Sequence, residues 1–226
     1  MKILIFIIGK GGKVSKSIEN LLKNEKDIEI IGGMNTKEDV DLEQFKKADV
    51  IIDFSSKDTL DKYLPLAEKF NKKVVIGTTN FEEKDFVKIK NASKNIPIFY
   101  SSNYSFAMAS IHEMIKILKE EFKDSFIDII EKHHILKKDA PSGTAKSLEK
   151  VLRNENFSKI NIHSIRAANI IGEHIISFTK DDEIVEIKHI CNNRDIFAKG
   201  AIKAAIFLIN KTKNLYSMKD FFNERN

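Results

Sequence analysis

The stretch EKHHILKKDAPSGTA, residues 131–145, sets two histidines and three lysines directly against a Pro-Ser-Gly-Thr turn. Histidine is the side chain best suited to giving and taking a proton at neutral pH. Adjacent residues on an extended segment point to opposite faces, so His133 and His134 cannot grip one ion together. One of them can face a pocket, and no metal centre is expected. Lys137 and Lys138 add positive charge suited to a carboxylate-rich substrate. Pro141 and Gly143 shape a tight turn, and Ser142, Gly143 and Thr144 at the start of a helix present N–H groups to an anion. This composition suits proton transfer beside a bound anion.

A second chemical stretch is IIGKGGKVSKS, residues 7–17, where an apolar run enters a glycine-rich turn and then a helical pattern. Glycines let backbone N–H groups approach a phosphate, and a helix N-terminus offers partial positive charge. Gly9, Lys10, Gly11, Gly12, Lys13 and Val14 are therefore candidates for holding a dinucleotide, although Val14 stands where a full GxGxxG needs glycine. A P-loop is excluded, because Val14 also stands where its Ser or Thr must hold magnesium. Asn35, past the next apolar run, is placed to meet a ribose hydroxyl or, with Lys37 beside it, to tolerate a 2′-phosphate; coenzyme preference stays open. Gly77, Thr78 and Thr79, and then Ser101, Ser102, Asn103 and Tyr104, follow two further apolar runs, where a parallel sheet forms its ligand crevice. His112 heads HEMIK, which lacks the second histidine of a zinc helix, and His163, His174 and His189 read as structural histidines scattered on strands.

Elements that would position these groups are legible from periodicity. KILIFII, DIEIIGGM, DVIIDFS, KVVIGTT and IPIFYSS read as buried strands alternating with helices at about Lys13–Lys23, KDTLDKYLPLAEKF and EEKDFVKIKNAS. Such alternation predicts a parallel sheet with helices on both faces. A long helix then starts near Ser105, with Ile111, Met114, Ile115 and Leu118 on one side. FIDIIEKHH, IHSIRAANI, EHIISFTK and EIVEIKHIC follow as strands, with a helix near Thr144–Arg153 among them and a turn at Asp181-Asp182 between the last two. The apolar helix in DIFAKGAIKAAIFLIN is expected to pack back on another element. The fold class is α/β: a Rossmann-like parallel-sheet domain, residues 1–104, a second α+β domain with an open mixed sheet, 105–193, and a C-terminal segment, 194–226, returning to the first.

Composition narrows the partners. Lys+Arg 38 against Asp+Glu 33 gives +5, but the charges are mixed along the chain with no basic tail, which argues against nucleic acid. The opening apolar run is too short to span a bilayer and is followed by no cleavage site, so a cytoplasmic protein without membrane contact is expected. Cys191 is alone, which fits a reducing compartment. The few arginines, Arg153, Arg166, Arg194 and Arg225, each invite a question about role.

Residues 131–145 meet every fixed position of E-x-H-H-x-x-K-x-D-A-P-S-G-T-A, and in this the chain resembles the dihydrodipicolinate reductase family. The resemblance runs on through VVIGTTNFEE, SSNYS, RAANIIGEH and RDIFAKGAIKAA in the family's order. It implies NADH- or NADPH-dependent reduction of a cyclic imine dicarboxylate in the diaminopimelate route to lysine, by a homotetramer built through the second domain's sheet. It implies His133 as proton donor, Lys137 as catalytic lysine, and His134, Gly143 and Thr144 as substrate contacts, with Ser142 beside them. Residues 9–14, 77–79 and 101–104 fall on nucleotide-binding positions. This chain departs from the family pattern at Lys13-Val14-Ser15, where Arg-Met-Gly is usual, and at Ala168, where glycine is common. It also lacks the proline of an Ala-Pro-Asn-Phe-Ser run at 101–105 and is shortened around 35–48. Two rivals remain at this stage: another nicotinamide-dependent amino-acid dehydrogenase, and a non-catalytic dinucleotide-sensing module that would not need His133.

Overall fold

A computed structural model describes residues 2–193 and 195–224. The chain divides into two compact units, Met1–Tyr104 with Asp195–Asn226, and Ser105–Arg194. Arg194, where the expected C-terminal segment begins, lies outside the described residues.

In the first unit β1 (Ile3–Ile8), α1 (Lys13–Leu22), β2 (Ile28–Met34), α2 (Leu42–Lys47), β3 (Val50–Asp53), α3 (Leu60–Lys69), β4 (Lys73–Ile76), α4 (Glu83–Ala92) and β5 (Pro97–Tyr100) alternate along the chain. The second unit holds α5 (Phe106–Phe122), β6 (Phe126–His133), α6 (Gly143–Asn154), β7 (Ile160–Arg166), β8 (Gly172–Lys180) and β9 (Glu183–Cys191). The chain then returns to the first unit with α7 (Asp195–Leu208), β10 (Asn214–Tyr216) and α8 (Met218–Asn223).

The first sheet is parallel throughout, in the order β10-β5-β4-β3-β1-β2. Continuous apolar strands fit it because both faces are covered. Phe6 and Ile8 pack with Phe45, Leu64 and Ile89 of α2, α3 and α4 on one face. Ile5 and Ile7 pack with Ile18 of α1 and Ala198, Ala201 and Ala205 of α7 on the other. The small residues of α7 allow close approach: a Cβ on Gly200 would lie 1.9 Å from the Tyr104 carbonyl oxygen. Because β3 and β1 leave the sheet on neighbouring tracks, their carboxyl ends, with that of β4, bring the Gly9, Phe54 and Gly77 turns together.

The second sheet is mixed, in the order β7-β6-β8-β9, with β6 and β7 parallel and the other pairs antiparallel. One face packs Ile127, Ile129, Ile176 and Phe178 against α5 and α6 through Ile111, Ile115, Leu148 and Leu152. Met114 of α5, expected on that stripe, is exposed; the buried stripe runs instead through Met108, Ile111, Ile115 and Phe122. Among the described residues, no helix is long and apolar enough to cross a membrane.

Candidate active site

In the first unit β1 ends on Gly9, whose φ of +85° lies in the left-handed region. Any Cβ there would stand 2.7 Å from the Phe54 carbonyl oxygen, so the turn demands glycine twice over. The Gly12 amide closes the turn on the Gly9 carbonyl at 2.9 Å, and Gly12 then serves as N-cap of α1 with no side chain capping the helix. Lys10, Gly11 and Lys13 are exposed around that open helix start. Glycines, lysines and the first amides of α1 form a cradle here that fits a pyrophosphate. Ser15, where the family pattern ends in glycine, is fully buried and its hydroxyl has no partner.

Asn35 stands just past β2, and its amide is committed locally. Its Oδ1 accepts the Gly11 amide at 2.8 Å and its Nδ2 donates to Glu38 Oε1 at 2.9 Å, while the Asn35 backbone N–H donates to Glu38 Oε2 at 2.7 Å. Asn35 thus ties the glycine turn down and draws the Glu38 carboxylate back to the strand end. Those bonds, backbone first, hold the Glu38 carboxyl below its ordinary range. Beneath, the buried Asp53 carboxylate accepts from the Ser55 amide at 3.0 Å, from the Ser55 hydroxyl, and from Tyr63 Oη at 2.9 Å; burial pushes its pKa up to about 6. The Ser55 amide also meets Thr78 Oγ1 at 2.9 Å, so Thr78 braces one turn against another, with Thr79 exposed beside it. Gly77 admits the Phe54 ring, which a Cβ would strike at 2.3 Å. Ser101 Oγ holds its own turn through the Asn103 carbonyl and amide, Ser102 is exposed, and Tyr104 differs from its neighbours. Expected at the coenzyme, the Tyr104 side chain is buried and donates to the Ile76 and Phe99 carbonyls at 2.9 and 3.3 Å. Its ring supports the site from below.

In the second unit Glu131 and His133 lie two residues apart on one face of β6, as strand alternation requires. His133 Nδ1 is hydrogen-bonded to Glu131 Oε2. The fully buried Glu131 also takes a forked pair from Arg166, Nη1 to Oε2 at 3.0 Å and Nη2 to Oε1 at 2.9 Å, and accepts the Ser142 amide at 3.2 Å. Burial alone would raise its pKa; bonds from Arg166, Ser164 and His133 outweigh that and hold it at about 2. A carboxylate so fixed orients the ring with Nδ1–H toward itself, leaving Nε2 outward. Gly172, across the sheet, keeps that nitrogen uncovered: a Cβ there would lie 3.2 Å from Nε2. Burial lowers the His133 pKa, the Glu131 anion pulls it up, and Lys137 and Arg166 push it down.

The loop after β6 is clamped by the same arginine, whose Nε meets the Lys137 carbonyl at 3.3 Å and whose Nη2 meets the Asp139 carbonyl. Lys137 Nζ pairs with Asp139 Oδ1 at 2.8 Å, and His134 is half-buried at the loop's start. Ser142 caps α6, its Oγ accepting the Ala145 amide at 3.2 Å. Gly143 follows, exposed, with nothing within 4 Å of where its Cβ would be, and Thr144 is half-buried. The structure therefore brings His133, Lys137 and the α6 N-terminus together around one arginine-carboxylate pair. Among the described residues no group of three or more His, Cys, Asp or Glu side chains is arranged to hold a metal ion.

Sequence reasoning singled out neither Glu131 nor the pairing of Arg166. The first had a signal, the two-residue spacing from His133; the second depends on the β6–β7 register, which sets Arg166 beside His133. His174, read as a scattered structural histidine, stands with its ring centroid 5.2 Å from that of His133. Ala168 carries a φ of +43° while its carbonyl holds the Ile135 amide at 3.3 Å. Left-handed backbone strains alanine and not glycine. Ala168→Gly should therefore raise stability by about 1 kcal/mol, read by thermal unfolding; an unchanged or lower midpoint would refute that strain.

Residues 3–104 match the family model "Dihydrodipicolinate reductase, N-terminus" and residues 105–222 match "Dihydrodipicolinate reductase, C-terminus". The chain belongs to the dihydrodipicolinate reductase family. It is 38% identical to the 4-hydroxy-tetrahydrodipicolinate reductase of Rickettsia akari over 97% of this chain and 96% of that one. It is 37% identical to the enzyme of the same name from Thermosipho africanus, covering 96% and 97%. A dipicolinate-bound dihydrodipicolinate reductase from Paenisporosarcina sp. TG-14 shares the fold at a TM-score of 0.84 and 22% identity, covering 96% of this chain and 98% of that one. The first unit has a nicotinamide-dinucleotide-binding fold.

Proposed function

We propose that this chain reduces the cyclic imine formed from 4-hydroxy-tetrahydrodipicolinate to tetrahydrodipicolinate, in lysine biosynthesis through diaminopimelate, with a reduced nicotinamide dinucleotide as donor. The observation that carries the proposal is the Glu131–His133 pair with Nε2 left open beside Lys137 and the α6 N-terminus. The coenzyme supplies a hydride to the conjugated imine when bound. Everything else falls to the protein.

Gly9–Val14 cradle the pyrophosphate on the first amides of α1, and the 77–79 and 101–103 turns flank the nicotinamide end. Lys137, His134, the Ser142 and Thr144 hydroxyls and the Gly143 and Thr144 amides hold the two substrate carboxylates. A carboxylate on Lys137 must share that ammonium with Asp139. His133 Nε2–H protonates the electron-rich enamine carbon left after hydride addition, while Glu131 stabilises the imidazolium that precedes the transfer. Incubating the protein with enzymatically generated substrate and reduced coenzyme should discharge the coenzyme's near-ultraviolet absorbance. No discharge with either coenzyme would overturn the proposal.

Coenzyme choice follows from Glu38. A carboxylate at the end of the second strand accepts from ribose hydroxyls and repels a 2′-phosphate, which favours NADH. Glu38→Gln should shift the ratio of kcat/KM for NADH over NADPH by about tenfold toward NADPH; an unaltered ratio would exclude Glu38 from the ribose site. Assembly belongs to the same reading. The uncovered face of the second sheet exposes Phe126, Ile165, Ile184 and Ile190 among the ion pairs Lys132–Glu173, Lys188–Glu173 and His163–Asp128, a mixed apolar and charged surface suited to a homotetramer interface. Sedimentation equilibrium reads this directly, and a monomer at micromolar concentration would contradict it. A cytoplasmic setting, where the reduced coenzyme is kept, completes the proposal.

A further inference from the structure

The mechanism so far leaves His174 without a task. It stands opposite Glu131 in the β6–β8 register and opposite His189 in β8–β9. Its ring meets that of His133 edge to face, and only 5% of the residue is exposed. His174 Nε2 lies 3.2 Å from Ser142 Oγ, while Nδ1 is buried with no hydrogen-bond partner.

That solitary nitrogen assigns the tautomer. With the proton on Nδ1, a buried N–H would face no acceptor, an arrangement folded proteins almost never retain. With the proton on Nε2, the cost falls to an unused lone pair, and Nε2–H donates to Ser142 Oγ. The ring carries one proton at neutral pH, because burial first, then His133 and His189 nearby, lower its pKa to about 4. Ser142 Oγ also accepts the Ala145 amide. A hydroxyl has two acceptor positions and one O–H. Once Ala145 N–H and His174 Nε2–H fill both acceptor positions, the Ser142 proton must seek an acceptor elsewhere. The start of α6 offers a place for that acceptor, because its amides favour an anion and Gly143 leaves open space.

We infer that His174 is a positioning residue: by donating to Ser142 Oγ it commits the Ser142 hydroxyl as a hydrogen-bond donor to one carboxylate of the substrate. The inference rests on the dicarboxylate reading above. It explains why a neutral imidazole is buried beside the proton donor, where a second cation would suppress protonation of His133. It also predicts discrimination, since a ligand lacking an acceptor there leaves a buried O–H unpaired.

The test is the dissociation constant of pyridine-2,6-dicarboxylate, measured calorimetrically on the full-length protein with saturating NADH. His174→Phe keeps the ring and removes the donor, His174→Leu does so without the ring, and His174→Gln restores an N–H at the reach of Nε2. The Phe and Leu variants should each weaken binding about tenfold, with a matching rise in substrate KM, and the Gln variant should recover most of it. In a Ser142→Ala background, His174→Phe should change the constant less than about twofold, because its effect passes through the missing hydroxyl. Unweakened binding in His174→Phe, equal losses in the Phe and Gln variants, or a tenfold loss that persists without Ser142 would each overturn the inference. Failure of the unsubstituted protein to bind the dicarboxylate would instead overturn the proposed function on which it rests.

Discussion

Replacing His133 by glutamine should lower kcat by about a hundredfold or more, the contribution of a positioned general acid, while leaving the KM for reduced coenzyme nearly unchanged. Glutamine fills similar space and can still hydrogen-bond, so the loss reports proton transfer and not collapse of the pocket. The pH profile carries the same information with a definite sign. A general acid must be protonated, so activity falls as pH rises through its pKa. Burial sets the His133 pKa below the ordinary histidine value in the free protein. A bound dicarboxylate brings two negative charges beside the ring and raises that pKa. The basic limb of kcat should therefore lie at higher pH than that of kcat/KM, and His133→Gln should abolish it. Steady-state rates across pH measure both; a variant within about fivefold of the parent, or a limb that survives the substitution, would remove His133 from the mechanism.

Glu131→Gln has the next largest expected effect because it acts on stability and catalysis together. Arg166 would lose the carboxylate that neutralises it inside the sheet, and breaking such a pair on one side costs about 3 kcal/mol or more. The imidazolium would lose its counterion, and an amide N–H turned toward Nδ1 would force the proton onto Nε2 in a ring unable to hold a second one. A fall in kcat of about a hundredfold follows. Stability should also change its dependence on pH. A carboxyl held at about 2 when folded, against an ordinary value of 4.5, contributes stability that is complete above 4.5 and is lost as pH falls toward 2. Thermal unfolding across that window should show the decline in the parent and much less of it in Glu131→Gln. Superimposable curves would mean that the carboxylate is not bound as the Arg166 fork requires.

How far the sequence announced these features depends on whether the information was local. β1, β3, β4 and β5 were legible because each is an apolar run leading into glycine or serine, as a strand covered on both faces requires, and β2 was legible despite the exposed Glu29 that interrupts it. β10 was not, since Asn214-Leu215-Tyr216 is short, largely exposed, and a strand only by virtue of pairing with β5. The second sheet's strands were legible from alternation, but IHSIRAANI stops pairing at Arg166, where Ala167 and Ala168 turn back to hold His133 and Ile135.

The site divides in the same way. Gly9 announced itself because left-handed backbone has a residue signature, and Ser142 because helix caps do. Asn35 stood at the right place, yet whether its amide faced a ribose or the glycine turn depended on Glu38 three residues on. Tyr104 was unpredictable from composition, since only its depth beneath Phe54 and Phe99 decides that its hydroxyl serves backbone carbonyls. Arg166 and His174 reach the active histidine through strand register, and no spacing along the chain encodes that.

The most direct test of the account is nitrogen-15 NMR of the His133 ring near neutral pH, with NADH present, before and after adding pyridine-2,6-dicarboxylate. The free protein should show a neutral ring protonated at Nδ1, and the complex an imidazolium protonated at both nitrogens. A ring that stays neutral when the dicarboxylate is bound, or that carries its single proton on Nε2 beside Glu131, would contradict the proposed proton donor.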